Sequence, residues 1–310
     1  MSNLDFVSHQ PQSFCGLIKY DWKDEIPNYN LIGVPLDISS SYRPGARFGP
    51  NSLRRILQSE NFECVSEKGI DLTRYFRLKD WGNIGIINTD IEKSLRRVSE
   101  GVTDLISFQK PFLIMGGDHS ITIGVGKAFE NKNIPVHIIY IDGHLDLYDE
   151  VNESRFSHAC SLKRLSELQT FDGATILGYR DFLSEQVEYA KQKDMLLYST
   201  SSLQYQANLF DFGTSLIQKL ASKHQYFHIS IDLDVLDPSF APGVGNPVAC
   251  GLTSRDLVTL LLGIFNALPP GKNFSWDIVE YNPLFDTADI TAFFVIKLLI
   301  ELLGEQIKFV

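Results

Sequence analysis

The chain reads as an α/β protein of the three-layer α/β/α kind, built on a mostly parallel central sheet. Three observations carry that reading. Short, fully apolar, β-branched runs recur along the chain, of which Val136–Ile141 (VHIIYI) is the clearest. Segments with apolar residues at helical spacing alternate with them, as in 91–108, where Leu95, Val98, Val102, Leu105 and Ile106 fall on one face. Several apolar runs end directly in Gly, Asp or His, the pattern of strands whose carboxyl ends face a site.

Taken in order, residues 1–30 are polar and aromatic without periodicity and are expected to form an arm laid over a single domain spanning 1–310. A first strand is expected over 31–34. It runs into a loop punctuated by Pro44, Gly45, Gly49 and Pro50, followed by a helix over 51–58. The stretch up to residue 90 is irregular. A helix over 91–108 and a strand Phe112–Met115 follow, and Gly116-Gly117 then turn the chain so that His119 lies at the strand's carboxyl end, with a helix running through residue 129. After Val136–Ile141, strands are expected over 175–178 and 195–198, with helices over 184–193 and 212–222. A strand over 227–231 ends in Asp232-Leu233-Asp234. A helix Ser254–Ala267, a strand over 274–279 ending at Glu280, and a helix over 288–303 complete the chain.

With 310 residues, 44% hydrophobic and 21% charged, the composition is that of an ordinary globular protein. No run approaches the roughly 18 apolar residues of a membrane span, and the N-terminus lacks a signal-peptide pattern, so a cytoplasmic, membrane-free protein is expected. The net charge of −10, with no dense Lys/Arg cluster, argues against a nucleic-acid partner and suits a small cationic one. Cys15, Cys64, Cys160 and Cys250 show no C-x-x-C spacing and are read as reduced packing residues.

The stretch Asp142-Gly143-His144-Leu145-Asp146 follows the apolar run Val136–Ile141. If the extended backbone continued, the side chains of Asp142, His144 and Asp146 would share one face. Carboxylates clustered at the end of a buried strand need compensating positive charge, and no Lys or Arg is near in sequence, so a cation is the expected partner. Asp232 and Asp234 repeat the logic, and His119 adds an imidazole. In a parallel sheet these ends lie on one edge, where two imidazoles and four carboxylates suit a pair of hard octahedral or five-coordinate ions, Mn²⁺ above all, and metal-assisted hydrolysis. His137 and His228, inside strands, read as core residues or as supports of the ligands, and His224 as a surface residue.

Gly116-Gly117-Asp118-His119-Ser120, Asp142-Gly143-His144-Leu145-Asp146, the segment from Ser230 to Pro238 with Ala241-Pro242-Gly243, and Asp277-Ile278-Val279-Glu280 resemble the signature segments of the ureohydrolase family. That family comprises arginases, agmatinases, guanidinobutyrases and formimidoylglutamases. Gly33-Val34-Pro35-Leu36-Asp37 and the loop from Arg43 to Pro50 extend the resemblance over almost the whole chain beyond the arm. The resemblance implies two manganese ions, one held by His119, Asp142, Asp146 and Asp232, the other by Asp142, His144, Asp232 and Asp234, with Asp142 and Asp232 bridging. It implies a shared hydroxide attacking the guanidinium carbon, Asp146 passing a proton to the departing amine, Glu280 binding the guanidinium, and His158 shuttling a proton or touching substrate. It further implies a homotrimer or homohexamer. The loops around Tyr42–Pro50 and His158 are more similar to agmatinases, which convert agmatine to putrescine and urea in polyamine biosynthesis. Glu280-Tyr281-Asn282-Pro283 is closer to the arginase and formimidoylglutamase form. Gly143 stands where the family usually has Ala.

Overall fold

The computed structural model describes Leu17 and residues 27–58, 62–270 and 273–310. Eight strands, β1 (Tyr29–Gly33), β2 (Leu78–Asn83), β3 (Phe112–Met115), β4 (Val136–Ile141), β5 (Phe171–Tyr179), β6 (Leu196–Ser199), β7 (Tyr226–Asp232) and β8 (Asn273–Val279), form one sheet in the order β2-β1-β3-β8-β7-β4-β5-β6. Every neighbouring pair is parallel. β1 lies beside the edge strand β2, the chain returns through β3 on its other side and then builds the other half from β4, and β7 and β8 fill the gap, so β3, β8, β7 and β4 lie at the centre of the sheet. The strands β3, β4 and β7 are buried along their whole length; β3 and β4 are accordingly almost wholly apolar, while β7 alternates Phe227, Ile229 and Ile231 with the buried polar His228, Ser230 and Asp232.

Two cores follow from the period-two alternation of strand side chains. On one face Leu31, Leu113, Ile139, Ile141, Ile229 and Ile231 meet helices α1 (Gly49–Leu57), α7 (Leu209–Ala221), α8 (Ser254–Ala267) and α9 (Ile290–Glu305). On the other, Ile32, Ile114, Ile138, Tyr140 and Ile176 meet α2 (Ile91–Ser107), α3 (Ile121–Asn131), α4 (Ser161–Leu165) and part of α5 (Ser184–Gln192). The short α6 (Thr200–Gln204) follows β6. This is the three-layer α/β/α arrangement expected, and the sheet is parallel throughout.

The strand β2 lies in the stretch that read as irregular. Its sequence, LKDWGN, has no apolar run because it is an edge strand with one side open. It is held by Arg54, whose guanidinium meets Asp80 at 2.7 Å with both side chains buried. Of the expected arm, residues 1–16 and 18–26 lie outside the described residues; Leu17 is buried and its carbonyl accepts from Leu78 N–H, and Tyr29 and Asn30 already belong to β1. Among the described residues no helix is long and apolar enough to cross a membrane. Cys64 and Cys160 are buried and Cys250 is exposed, all as free thiols, and Cys15 lies outside the described residues.

Candidate metal centre

Because all eight strands run one way, the turns that leave β3, β4, β7 and β8 open on one edge of the sheet. After β3, a Cβ at Gly117 would lie 1.8 Å from the Leu36 carbonyl oxygen, so only glycine lets the loop pass. Asp118 N–H then donates to that same carbonyl, and His119 follows, 1% exposed. After β7, Asp232 caps the 3-10 turn Leu233–Val235 by accepting from Asp234 N–H at 2.8 Å. That turn brings Asp234 beside Asp232. After β8, Glu280 sits at φ 64° with its side chain buried.

The expected extended continuation of β4 does not occur: the strand stops at Ile141, and Asp146 adopts a left-handed φ of 49°. Three groups nonetheless converge, because the turn is held from both sides. His144 N–H donates to Asp142 Oδ1 at 2.6 Å, and Tyr140 O–H donates to Asp146 Oδ2 at 2.6 Å. The Tyr140 ring also stacks on His119, 4.3 Å between centroids.

The ligating atoms face one another. His119 Nδ1 lies 2.9 Å from Asp142 Oδ2, 3.0 Å from Asp232 Oδ2 and 3.5 Å from Asp146 Oδ2. His144 Nδ1 lies 3.0 Å from Asp234 Oδ2 and 3.4 Å from Asp142 Oδ1. Two groups, His119/Asp142/Asp146 and Asp142/His144/Asp234, could each hold an ion, and Asp142 is common to both. The fit is chemical as well as geometric: the donors are nitrogen and oxygen without a thiolate, Asp142 Oδ2 accepts no hydrogen bond despite burial, and four buried carboxylates share one site.

The electrostatics bear the mark of that crowding. Burial and then the charge of Asp142 push the Asp146 carboxyl up to about 7. Burial, with the carboxylates of Asp234 and Asp142, raises Asp232 well above the usual range. Burial opposes charge on both imidazoles too, but the surrounding carboxylates outweigh it and hold His119 and His144 far above the ordinary histidine value. The cluster therefore attracts positive charge from any source.

His158 and Glu280 complete the cleft, and they meet each other: His158 Nδ1 is 2.9 Å from Glu280 Oε1. Burial disfavours the imidazolium, but Glu280 prevails and lifts His158 to about 9. Glu280 Oε1 also accepts from His119 N–H at 2.9 Å, while Oε2 has no partner. His158 Nε2 lies 2.9 Å from Ser41 Oγ.

Sequence reasoning gave no role to several residues of this edge. Asp118 accepts from Ser39 and Ser120 and so ties the 39–41 loop to the β3 turn. His119 Nε2 rests on Ser230 Oγ, which donates to Asp277 Oδ1, and Asp277 Oδ2 meets His228 Nε2, all buried. The interior reading of His228 holds. His224, expected on the surface, is instead half-buried, 2.7 Å from Asp172, with its ring 4.2 Å from that of His137 and tilted 32° to it. The only signal for Asp118 and Asp277 was their place inside motifs, and for Tyr140 there was none, since an aromatic in an apolar run reads as core.

The arginase family model matches residues 27–304. An agmatinase from Bacillus cereus is 30% identical over 279 residues, covering 90% of this chain and 91% of the relative. Arginase 2 from Arabidopsis thaliana is 32% identical over 289 residues, covering 90% and 80%. The solved formimidoylglutamase of Bacillus subtilis superposes with a TM-score of 0.83 at 25% identity, covering 99% of this chain and 92% of that one. On sequence, fold and the chemistry gathered at the sheet edge, the chain belongs to the arginase family.

Proposed function

We propose that the chain hydrolyses agmatine to putrescine and urea, with two manganese ions held by His119, Asp142, His144, Asp146, Asp232 and Asp234. The observation that carries the substrate assignment is the wall of the cleft. It includes Asp181 and Glu280 beyond the ligand cluster, and none of the described residues lining it is Lys or Arg. An ammonium tail finds a carboxylate there. Arginine, guanidinobutyrate and formimidoylglutamate each carry a carboxylate that would find no Lys or Arg side chain among the described lining residues. The agmatinase among the relatives supports the same reading.

Each residue has a part. Glu280, buried and with Oε2 unpartnered, receives the guanidinium through charge-assisted hydrogen bonds, in place of or beside His158. The ions, when bound, would lower the pKa of a water and so supply a nucleophile at neutral pH. As oxygen bonds to the guanidinium carbon and the carbon–nitrogen bond to the tail breaks, the departing amine needs a proton. Asp146, beside the departing nitrogen, would deliver it, and His158, linked to Ser41, would relay the next one. Urea and the diamine leave.

As in the resemblance, assembly as a homotrimer or homohexamer in the cytoplasm is part of the proposal. The test is urea release by the manganese-loaded chain from agmatine, arginine and guanidinobutyrate, and formamide release from formimidoylglutamate. Preference for agmatine is expected; preference for any carboxylate-bearing substrate overturns the substrate assignment, and no turnover of any overturns the enzyme.

A further inference from the structure

Two buried acceptors on residues of the cleft wall have no donor among the described residues: Glu280 Oε2 and the side-chain oxygen of Asn246, Oδ1. The hydrolysis set out above uses the first and gives the second no part. A buried carbonyl oxygen without a donor is costly to the fold, and in a cleft the missing donor is one that a ligand can bring.

The backbone fixes Asn246 beside Glu280. Val244 pairs with Tyr281 in an antiparallel bridge, Asn282 N–H donates to the Gly243 carbonyl at 2.8 Å, and Gly243 N–H donates to Thr291 Oγ1 at 2.9 Å. The segment that carries Asn246 is thus bound to the two residues that follow Glu280. Gly245 packs against the free carboxylate oxygen, since a Cβ there would stand 3.1 Å from Glu280 Oε2.

Ser41 sets the polarity of the amide. Asn246 Nδ2 donates to Ser41 Oγ at 3.1 Å, Ser41 Oγ lies 2.9 Å from His158 Nε2, and His158 Nδ1 lies 2.9 Å from Glu280 Oε1. With Nδ2 committed to Ser41, Oδ1 is the atom left over. One hydrogen-bonded unit therefore carries a free neutral oxygen at one end and a free carboxylate oxygen at the other. A guanidinium spreads its N–H donors over three nitrogens in one plane and so can meet two acceptors at separate positions, whereas an ammonium donates from a single atom.

We infer that Asn246 is a second guanidinium-binding residue, its Oδ1 accepting one N–H of the group while Glu280 Oε2 accepts another. The inference rests on the proposed guanidinium substrate and adds a residue that reads the end being cleaved rather than the tail. Glu280 alone supplies charge, which any cation answers; the two acceptors together ask for donors on two nitrogens.

The test is calorimetric binding of two probes to the manganese-loaded chain, the guanidinium ion for the cleaved end and putrescine for the tail. It compares the parent with Asn246→Ala, which removes both amide contacts, and Asn246→Asp, which keeps an oxygen acceptor and loses the donor to Ser41. Asn246→Ala is expected to weaken guanidinium binding and raise KM for agmatine by roughly tenfold, with putrescine affinity and manganese content those of the parent. Asn246→Asp is expected to hold guanidinium at least as tightly as the parent. Parent affinity for guanidinium in Asn246→Ala overturns the contact. Equal weakening in both variants assigns the effect to the Ser41 link and overturns it too, as does equal weakening of both probes or loss of manganese, which would mark general packing. If thermal melting shows that Asn246→Ala does not fold, Asn246→Asp decides, and weaker guanidinium binding there overturns the inference. Absence of urea release by the parent from every guanidino compound overturns the substrate reading, and it is read separately from the binding constants.

Discussion

Two histidines at opposite edges of one sheet are buried to nearly the same degree, His119 at 1% and His137 at 3% exposure, and titrate in opposite directions. At the carboxyl edge, carboxylates hold His119 well above the ordinary value despite the cost of burial. At the amino edge, His137 faces the Asp172 carbonyl oxygen at 3.3 Å and Thr175 Oγ1 at 3.0 Å, with the His224 ring beside it, and burial followed by His224 pushes it down to about 4. Depth alone does not decide what a buried imidazole does; the charge of its neighbours does. A parallel sheet separates the two cases because every carboxyl end, with its acidic turn, lies on the same side.

The strongest way to break the contrast is to remove carboxylates from the carboxyl edge. Asp232→Ala is expected to lower turnover by about three orders of magnitude or more while the far-ultraviolet circular dichroism stays that of the parent. Retained activity without metal would refute the ion-based reading. Glu280→Gln keeps the ligands and removes the guanidinium's counter-charge, so kcat/KM should fall by roughly 100-fold with manganese content unchanged, measured by urea release and metal analysis. Asp181→Asn should raise KM for agmatine by about fivefold with little change in kcat, since an exposed ion pair contributes only about 1 kcal/mol. A similar loss for a guanidine without an amine tail would show that Asp181 does not read the tail.

The amino edge supplies a prediction of opposite sign. The folded-state value of His137 lies below its unfolded value of 6.5, so the unfolded chain binds the proton first as pH falls. Stability from this residue is therefore intact above about 6.5 and is lost progressively down to about 4, a difference of up to about 3 kcal/mol. Urea midpoints of the parent and of His137→Gln between pH 4 and 7.5 should diverge in slope across that window. Parallel slopes would show that His137 takes up its proton without cost.

Much of this was legible in the chain. The runs that became β3 and β4 are buried on both faces and so are almost wholly apolar, those that became β7 and β8 keep an apolar face in Phe227, Ile229, Ile231 and Phe274, Trp276, Ile278, and the four acidic turns follow from them directly. The polar edge strand β2 was not legible, because a strand with one open side needs no apolar run. The left-handed Asp146 and the pairing of His158 with Glu280 were not legible either, since neither leaves a periodic trace and the second spans 122 residues.

By itself, the sequence determined the layered α/β architecture, the family and the residue types gathered at one edge, because burial and alternation act on every residue locally. Only the tertiary structure decided which atoms meet. It paired His158 with Glu280 and stacked Tyr140 on His119. It also set Asp142 between two imidazoles, because distances of a few tenths of an ångström arise from the packing of whole segments and not from any one of them.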